Sequence, residues 1–237
     1  MAMHPVYTRW SYRAWLGVQR GVAVLLLVAL APIFAILFLM MKLTSRGPFL
    51  YRQLRPGAEG RPFAIWKIRT MTVGSDRNSA NGLTVARDSP EVTRLGRILR
   101  ELKFDELPQM WNIIRGDMEF VGPRPISQNL FDKLMAELPR FEVRNIVRPG
   151  LTNIGQVCIL ENEPTEKLLD DWSIRLEGEL HYLKHKSIAY DMILIGLTVL
   201  FVIRKTVRKL ADGAIELSRR LVGLTRAPVV DNSLTST

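Results

Sequence analysis

"VAVLLLVALAPIFAILFLMM", residues 22–41, runs for 20 positions without a charge, and about 20 apolar residues is what a helix needs to cross the hydrocarbon core of a bilayer. The run exceeds the ~7–15 residues of a signal-peptide core and no small-residue cleavage site follows it, so it is expected to stay attached to the chain. Pro32 lies mid-run, where its missing N–H and its clash with the carbonyl four residues back kink a helix. Arg9, Arg13 and Arg20 precede the run, and Lys42, Arg46, Arg52 and Arg55 follow it. A spanning helix biases its basic residues to the cytoplasmic flank. Two basic flanks therefore favour a helix broken at Ala31-Pro32 that enters and leaves by one leaflet, with a kinked spanning anchor as the alternative.

The charge pattern points the same way. The chain has 237 residues and a formal charge of +10, a length that suits one domain with appendages. Residues 1–21 carry a net +3 and residues 204–226 a net +5, so most of the excess flanks apolar segments. Polybasic segments beside a membrane element bind anionic headgroups, which argues for anionic lipids and against nucleic acid. A second run, "MILIGLTVLFVI" (192–203), has 12 uncharged residues, too few to span; with "RKTVRK" after it, it is expected to be interfacial or buried. Cys158 is the only cysteine, which excludes an internal disulfide, permits a reducing compartment and suits a small core residue. His4, His181 and His185 form no ligand-like cluster.

Between the apolar runs, "FLYRQLRPGAEGRPFAIWKIRTM" (49–71) reads as a β-hairpin around Pro56, Gly57 and Gly60. Period two puts Ala64, Trp66 and Ile68 on one face and Lys67 with Arg69 on the other. Residues 72–90 lack apolar periodicity and read as a loop. "TRLGRILRELK" (93–103) is a basic amphipathic helix, expected at the headgroup layer although core packing is open to it.

"KFDELPQMWNIIRG" (103–116) predicts a helix with Leu107, Met110, Trp111 and Ile114 at helical spacing, ended by Gly116. Pro108 is tolerated only in a first turn, which puts Asp105 and Glu106 at the helix start. There the free N–H groups favour an ionised Asp105 and a bound phosphate, although an aspartate at a helix start is also ordinary capping. "GDMEFVGPRP" (116–125) follows, with Arg124 between Pro123 and Pro125 after Gly122. Two prolines stiffen that loop, and a guanidinium fork suits phosphate oxygens; a plain surface turn is the bland reading.

Together, "YRQLRPGAEGRPFAIWKIRTM" (51–71), "LGRILRELKFDELPQMWNIIRGDMEFVGPRP" (95–125), "RPGLTNIGQV" (148–157) and "ELHYLKHKSIAYDMIL" (179–194), with Tyr182, Ser187 and Asp191 in place, resemble the bacterial sugar transferases, the monotopic polyprenyl-phosphate phosphoglycosyl transferases. The resemblance covers roughly residues 17 to 203. It implies a mainly helical α+β fold with a Pro-broken re-entrant helix at Pro32, interfacial amphipathic helices and a small β-hairpin. It implies residues 1–41 as basic segment and membrane helix, 42–203 as a cytosol-facing transferase domain and 204–237 as a basic tail, whose residues 211–237 are expected to fray. The implied activity moves a phosphosugar from a UDP-sugar to polyprenyl phosphate with release of UMP, at the cytoplasmic face of the bacterial inner membrane. This would initiate glycoconjugate or exopolysaccharide assembly.

The family's acid pair falls on Asp105 and Glu106 and its Pro-Arg-Pro arginine on Arg124. A carboxylate attacking a diphosphate meets anionic repulsion, which Mg²⁺ and nearby cations offset. Asp105 is then the expected nucleophile, Glu106 a metal ligand or base, Arg124 a phosphate holder, and Lys67 and Arg69 weaker phosphate candidates, with Mg²⁺ on Asp105 and Glu106. A homo-oligomer is left open. The chain departs from the family pattern at Lys103-Phe104, Glu119, Asn153-Ile154 and Glu179. A direct glycosyltransferase using Asp-x-Asp lacks its motif, and a non-enzymatic membrane scaffold leaves residues 105–125 unexplained.

Overall fold

The computed structural model describes residues 2–75, 89–155 and 168–221. The chain divides into two units, Met1–Thr198 and Val199–Thr237. Among the described residues the secondary structure is mainly helical, with two small two-stranded sheets.

A 3-10 turn at Pro5–Thr8 leads into α1, Trp10–Thr44, whose helix is continuous through Pro32. The expected break at Ala31-Pro32 is therefore not an interruption of the helix. An interior proline removes one ladder hydrogen bond and bends the ladder, while the turns on either side keep theirs. Among the described residues α1 is the one helix long and apolar enough, by length and composition, to cross a membrane. Its burial lies on both sides of Pro32: Tyr12, Gln19 and Ala23 before it, Leu37 and Met41 after it, with Leu25 and Val28 between them 71% and 68% exposed.

The hairpin forms as expected. β1 (Leu50–Pro56) pairs antiparallel with β2 (Pro62–Ile68), from Leu50↔Ile68 to Pro56↔Pro62. Phe63 and Ile65 are its buried residues facing α1 and α3, the helix at Met110–Arg115, in one cluster with Ala23, Met110, Ile113 and Met118. By strand alternation Lys67 shares their face, so the cation points toward the helix that follows the acid pair.

α2, Arg94–Glu101, is capped by Thr93 Oγ1, which accepts from Gly96 N at 2.9 Å. Its Leu99 joins Leu37, Met41 and Ile68 in a core cluster, while Ile98 is half exposed. The helix expected at a headgroup layer thus packs one edge on the protein core, because its apolar stripe is wide enough for Leu95 and Leu99 to be covered together. Met71 bridges to Val92 and Thr72 N donates to Glu91 O; residues 76–88 of the expected 72–90 loop lie outside the described residues.

β3 (Glu119–Val121) pairs in parallel with β4 (Gly150–Thr152). Between them lie α4 (Gln128–Glu137) and a 3-10 helix, Phe141–Ile146. α5 (Leu168–His185) buries Trp172 and Leu176 against Leu130, Leu134 and Phe141. α6 spans Ile188–Leu221, so residues 211–221, expected to fray, are helical. Met192, Ile193 and Leu197 of the 192–203 run are about half exposed and Leu194 is buried. Cys158 and residues 222–237 of the tail lie outside the described residues.

Candidate active site

The acid pair is set by a tight turn. Lys103 adopts φ +61° and closes α2, and residues Phe104–Gln109 form a 3-10 helix that runs into α3. Asp105 and Glu106 occupy its first turn, while Lys103 and not Asp105 holds the cap position. Pro108 fits because a short 3-10 turn at a helix entrance asks little of its missing N–H. Gly116, at φ +83°, ends α3 as the sequence predicts.

Asn112 ties this segment to the hairpin. Fully buried on α3, it accepts from Trp66 N at 3.2 Å and donates to Ala64 O at 2.7 Å, so the acid turn lies beside β2. Lys67 Nζ then reaches Glu106 Oε1 at 2.8 Å. From the other side Arg124 Nη2 reaches the same oxygen at 3.1 Å. The structure thus brings Lys67 and Arg124 together on Glu106, next in the chain to Asp105. Arg69 is not part of it: β2 ends at Ile68, and the guanidinium turns away to donate to Arg46 O at 2.6 Å and Ser45 Oγ at 3.0 Å, holding the exit of α1.

Both carboxyls are buried, Asp105 7% and Glu106 8% exposed, and their environments push them apart. Burial works against ionisation of Glu106, but Lys67 and Arg124 overcome it and hold the carboxyl well below the usual range. Burial pushes Asp105 up, with the neighbouring Glu106 anion adding to it against the pull of Lys67. The helix-start argument for an ionised Asp105 is thus offset by desolvation. Among the described residues no hydrogen bond occupies the Asp105 carboxyl.

Among the described residues no three His, Cys, Asp or Glu converge as a metal cage. Two adjacent carboxylates are nonetheless a hard oxygen pair. Mg²⁺ commonly takes one or two carboxylates and completes its shell with water and phosphate oxygens, so the pair fits a cation that arrives with a diphosphate.

Three features went unpredicted. Arg55 lies beside Arg124 and donates to Pro125 O at 2.9 Å and to Gln53 Oε1; burial and the Arg124 charge push it down to about 10. Asn112 carried a signal, a polar residue between buried Met110 and Ile113. The third is a buried network around Glu119, which is 1% exposed. Tyr7 and Tyr12 hydroxyls donate to its two oxygens at 2.5 and 2.9 Å, and Lys186 Nζ donates at 3.1 Å. The same Tyr12 hydroxyl, with one proton shared between the two carboxyls, also lies 2.8 Å from Asp191 Oδ2, and Tyr182 donates to Asp191 Oδ1 at 2.7 Å. This network joins the segment before α1 to β3 and the α5–α6 corner.

The family model described as bacterial sugar transferase matches residues 15–205. An Aeromonas hydrophila protein named UDP-N-acetylgalactosamine-undecaprenyl-phosphate N-acetylgalactosaminephosphotransferase is 35% identical over 187 residues, 77% of this chain and 43% of its own. A Caulobacter vibrioides UDP-glucose:undecaprenyl-phosphate glucose-1-phosphate transferase is 40% identical over 75% of this chain and 66% of its own. The exopolysaccharide production protein PSS of Rhizobium leguminosarum is 36% identical over 73% of this chain and 86% of its own. The chain thus spans less than half of the first of these relatives and about two thirds of the second.

Proposed function

The chain belongs to the bacterial sugar transferase family, and from that premise we propose that it transfers a sugar phosphate from a UDP-sugar to undecaprenyl phosphate, releasing UMP, as the first step of an exopolysaccharide or related glycoconjugate. The observation that carries this reading is the convergence of Lys67 and Arg124 on Glu106 beside the buried Asp105. Cations on two sides of a carboxylate pair suit a reaction in which an anion attacks a phosphate.

In the first half-reaction an Asp105 oxygen bonds to the sugar-bearing phosphorus of the UDP-sugar. The bond from that phosphorus to the bridging oxygen breaks, and UMP leaves with the electron pair. In the second, an oxygen of undecaprenyl phosphate bonds to the same phosphorus and the Asp105 carboxylate is released. Glu106, held ionised, anchors Lys67 and Arg124 at the site and suits proton uptake less well. Mg²⁺ held by Asp105, Glu106 and the diphosphate would supply charge neutralisation and favour the ionised Asp105. Arg124 and Lys67 bind and orient the phosphates, and Arg55 adds positive potential beside them.

The membrane reading follows from α1. Ala23 shares a core cluster with Phe63 and Ile65, and Leu37 shares one with Ile68, so turns on both sides of Pro32 belong to clusters that include residues of β2. Fourteen residues of straight helix cover about 21 Å, whereas three strand residues cover about 10 Å. A bend at Pro32 that returns α1 to the same side of the bilayer accommodates both contacts. In our reading the protein sits on the cytoplasmic face of the inner membrane, with apolar residues 24–36 inserted and the flanking cations on anionic headgroups.

Incubating the full chain in detergent with undecaprenyl phosphate, Mg²⁺ and either UDP-glucose or UDP-N-acetylgalactosamine tests the activity. UMP release that needs the lipid for sustained turnover and stops on chelation supports it. Release of UDP in place of UMP would identify direct glycosyl transfer.

A further inference from the structure

The Pro123-Arg124-Pro125 backbone has four hydrogen-bonding groups, since the two prolines lack an N–H. All four are held. Pro123 O accepts from Gly150 N at 3.0 Å, Arg124 N donates to Glu179 Oε1 at 3.3 Å, Arg124 O accepts from Arg144 Nη2 at 2.7 Å, and Pro125 O accepts from Arg55 Nη1 at 2.9 Å. Two of these partners are bonded to each other: Arg144 Nη2 meets Glu179 Oε1 at 2.9 Å, with side chains 2% and 3% exposed. Arg144 lies over the Phe141 and Trp172 rings, 4.8 and 5.5 Å from their centroids.

Stability does not account for this pair. A buried ion pair gains little over apolar replacements because desolvating two charges offsets their attraction. This one is also incompletely satisfied, as Arg144 Nε and Glu179 Oε2 have no hydrogen-bond partner among the described residues. What the pair does accomplish is geometric: one oxygen and one nitrogen grip the amide and the carbonyl of a single residue.

We propose that Arg144 and Glu179 are positioning residues that lock the Arg124 backbone, so that its guanidinium stands at Glu106 before a phosphate arrives. Preorganising the group that meets a phosphate removes an ordering step from binding and transition state alike. The role of Arg124 rests on the functional reading above, whereas the lock rests on geometry alone. Glu179, met in the sequence as a departure from the family pattern, thereby acquires a task.

Replacing both partners together, Arg144→Met with Glu179→Leu, removes the grip without leaving a lone buried charge, a kind of swap that folded proteins tolerate. Arg144→Lys is the milder companion, since it keeps the charge but loses the planar guanidinium that lies over Phe141 and Trp172. Arg124 carries the one backbone amide in residues 123–125, so hydrogen exchange of the 123–125 segment in the full chain reads the lock directly. Exchange there should quicken roughly tenfold or more in the double variant while the protein stays folded. UMP release from UDP-glucose or UDP-N-acetylgalactosamine should fall roughly 10- to 100-fold. That loss should disappear when the same changes are made in an Arg124→Ala background. Unchanged exchange, or an equal loss with and without Arg124, overturns the proposal. If wild type releases no UMP, the functional reading fails and the exchange measurement alone decides the lock.

Discussion

Arg124 Nη2 lies 3.1 Å from Glu106 Oε1, across 18 positions of sequence, and meets the oxygen that Lys67 also holds. The guanidinium therefore has one edge on the acid pair. Arg124→Lys keeps the charge and loses the fork. kcat/KM for the UDP-sugar should drop roughly 10- to 100-fold with little change in melting temperature. Unchanged kinetics would return Pro-Arg-Pro to an ordinary turn.

The pairing of Lys67 with Glu106 has a pH signature. The Glu106 carboxyl is held below its ordinary 4.5 in the folded protein, so the stability it contributes is present above pH ~4.5 and is lost as pH falls through the folded value. Lys67→Met removes the strongest pull on this group and also lets Asp105 rise further. The variant should be about 1–3 kcal/mol less stable at pH 7, and the gap to wild type should narrow below pH ~4.5. Unfolding curves between pH 7 and 3.5 check the sign; a gap that widens on acidification contradicts it.

Gly122 and Gly150 allow β3 and β4 to approach where the Pro-Arg-Pro loop begins. A Cβ at Gly150 would collide with Gly122 N, and one at Gly122 with Arg148 O. Gly150→Ala should lower stability by about 1–3 kcal/mol or more and reduce activity through the displaced loop. Gly17→Ala on α1, where an added Cβ meets nothing within 4 Å, should be neutral or stabilise by about 0.5–1 kcal/mol. Thermal melts of the two variants separate close approach from simple glycine content.

Probes at Ser11 and Ser45, introduced as cysteines after replacing Cys158, test the same-side arrangement of α1. Both should resist labelling from outside intact cells. Labelling of just one would establish a spanning helix. Pro32→Leu removes the cause of the bend and should expose one of the two sites.

The site was readable where it depends on local sequence. Pro108 fixed the acids at a turn, the strand period aimed Lys67, and two prolines marked Arg124. Arg69 was misplaced because alternation holds only while the strand lasts, and β2 stops at Ile68. Glu119 could not be read, since its hydroxyl partners Tyr7 and Tyr12 lie 112 and 107 residues away and nothing in the neighbouring sequence calls for them. The hairpin was legible from its turn residues. The continuity of α1 through Pro32 was not, because a proline signals a bend but leaves open whether the flanking turns stay helical.

Asp105 is buried beside an ionised Glu106, with no hydrogen bond from the described residues on its carboxyl, and the central claim is that this oxygen forms a bond to phosphorus. The direct measurement is a single-turnover reaction with UDP-sugar and Mg²⁺ but no undecaprenyl phosphate. Wild type should release about one UMP per active site, and mass spectrometry after rapid quenching should place the phosphosugar on the Asp105 peptide. Asp105→Asn should release none. A folded Asp105→Asn variant with near-normal turnover, or full wild-type turnover without any trapped adduct, would contradict the covalent mechanism.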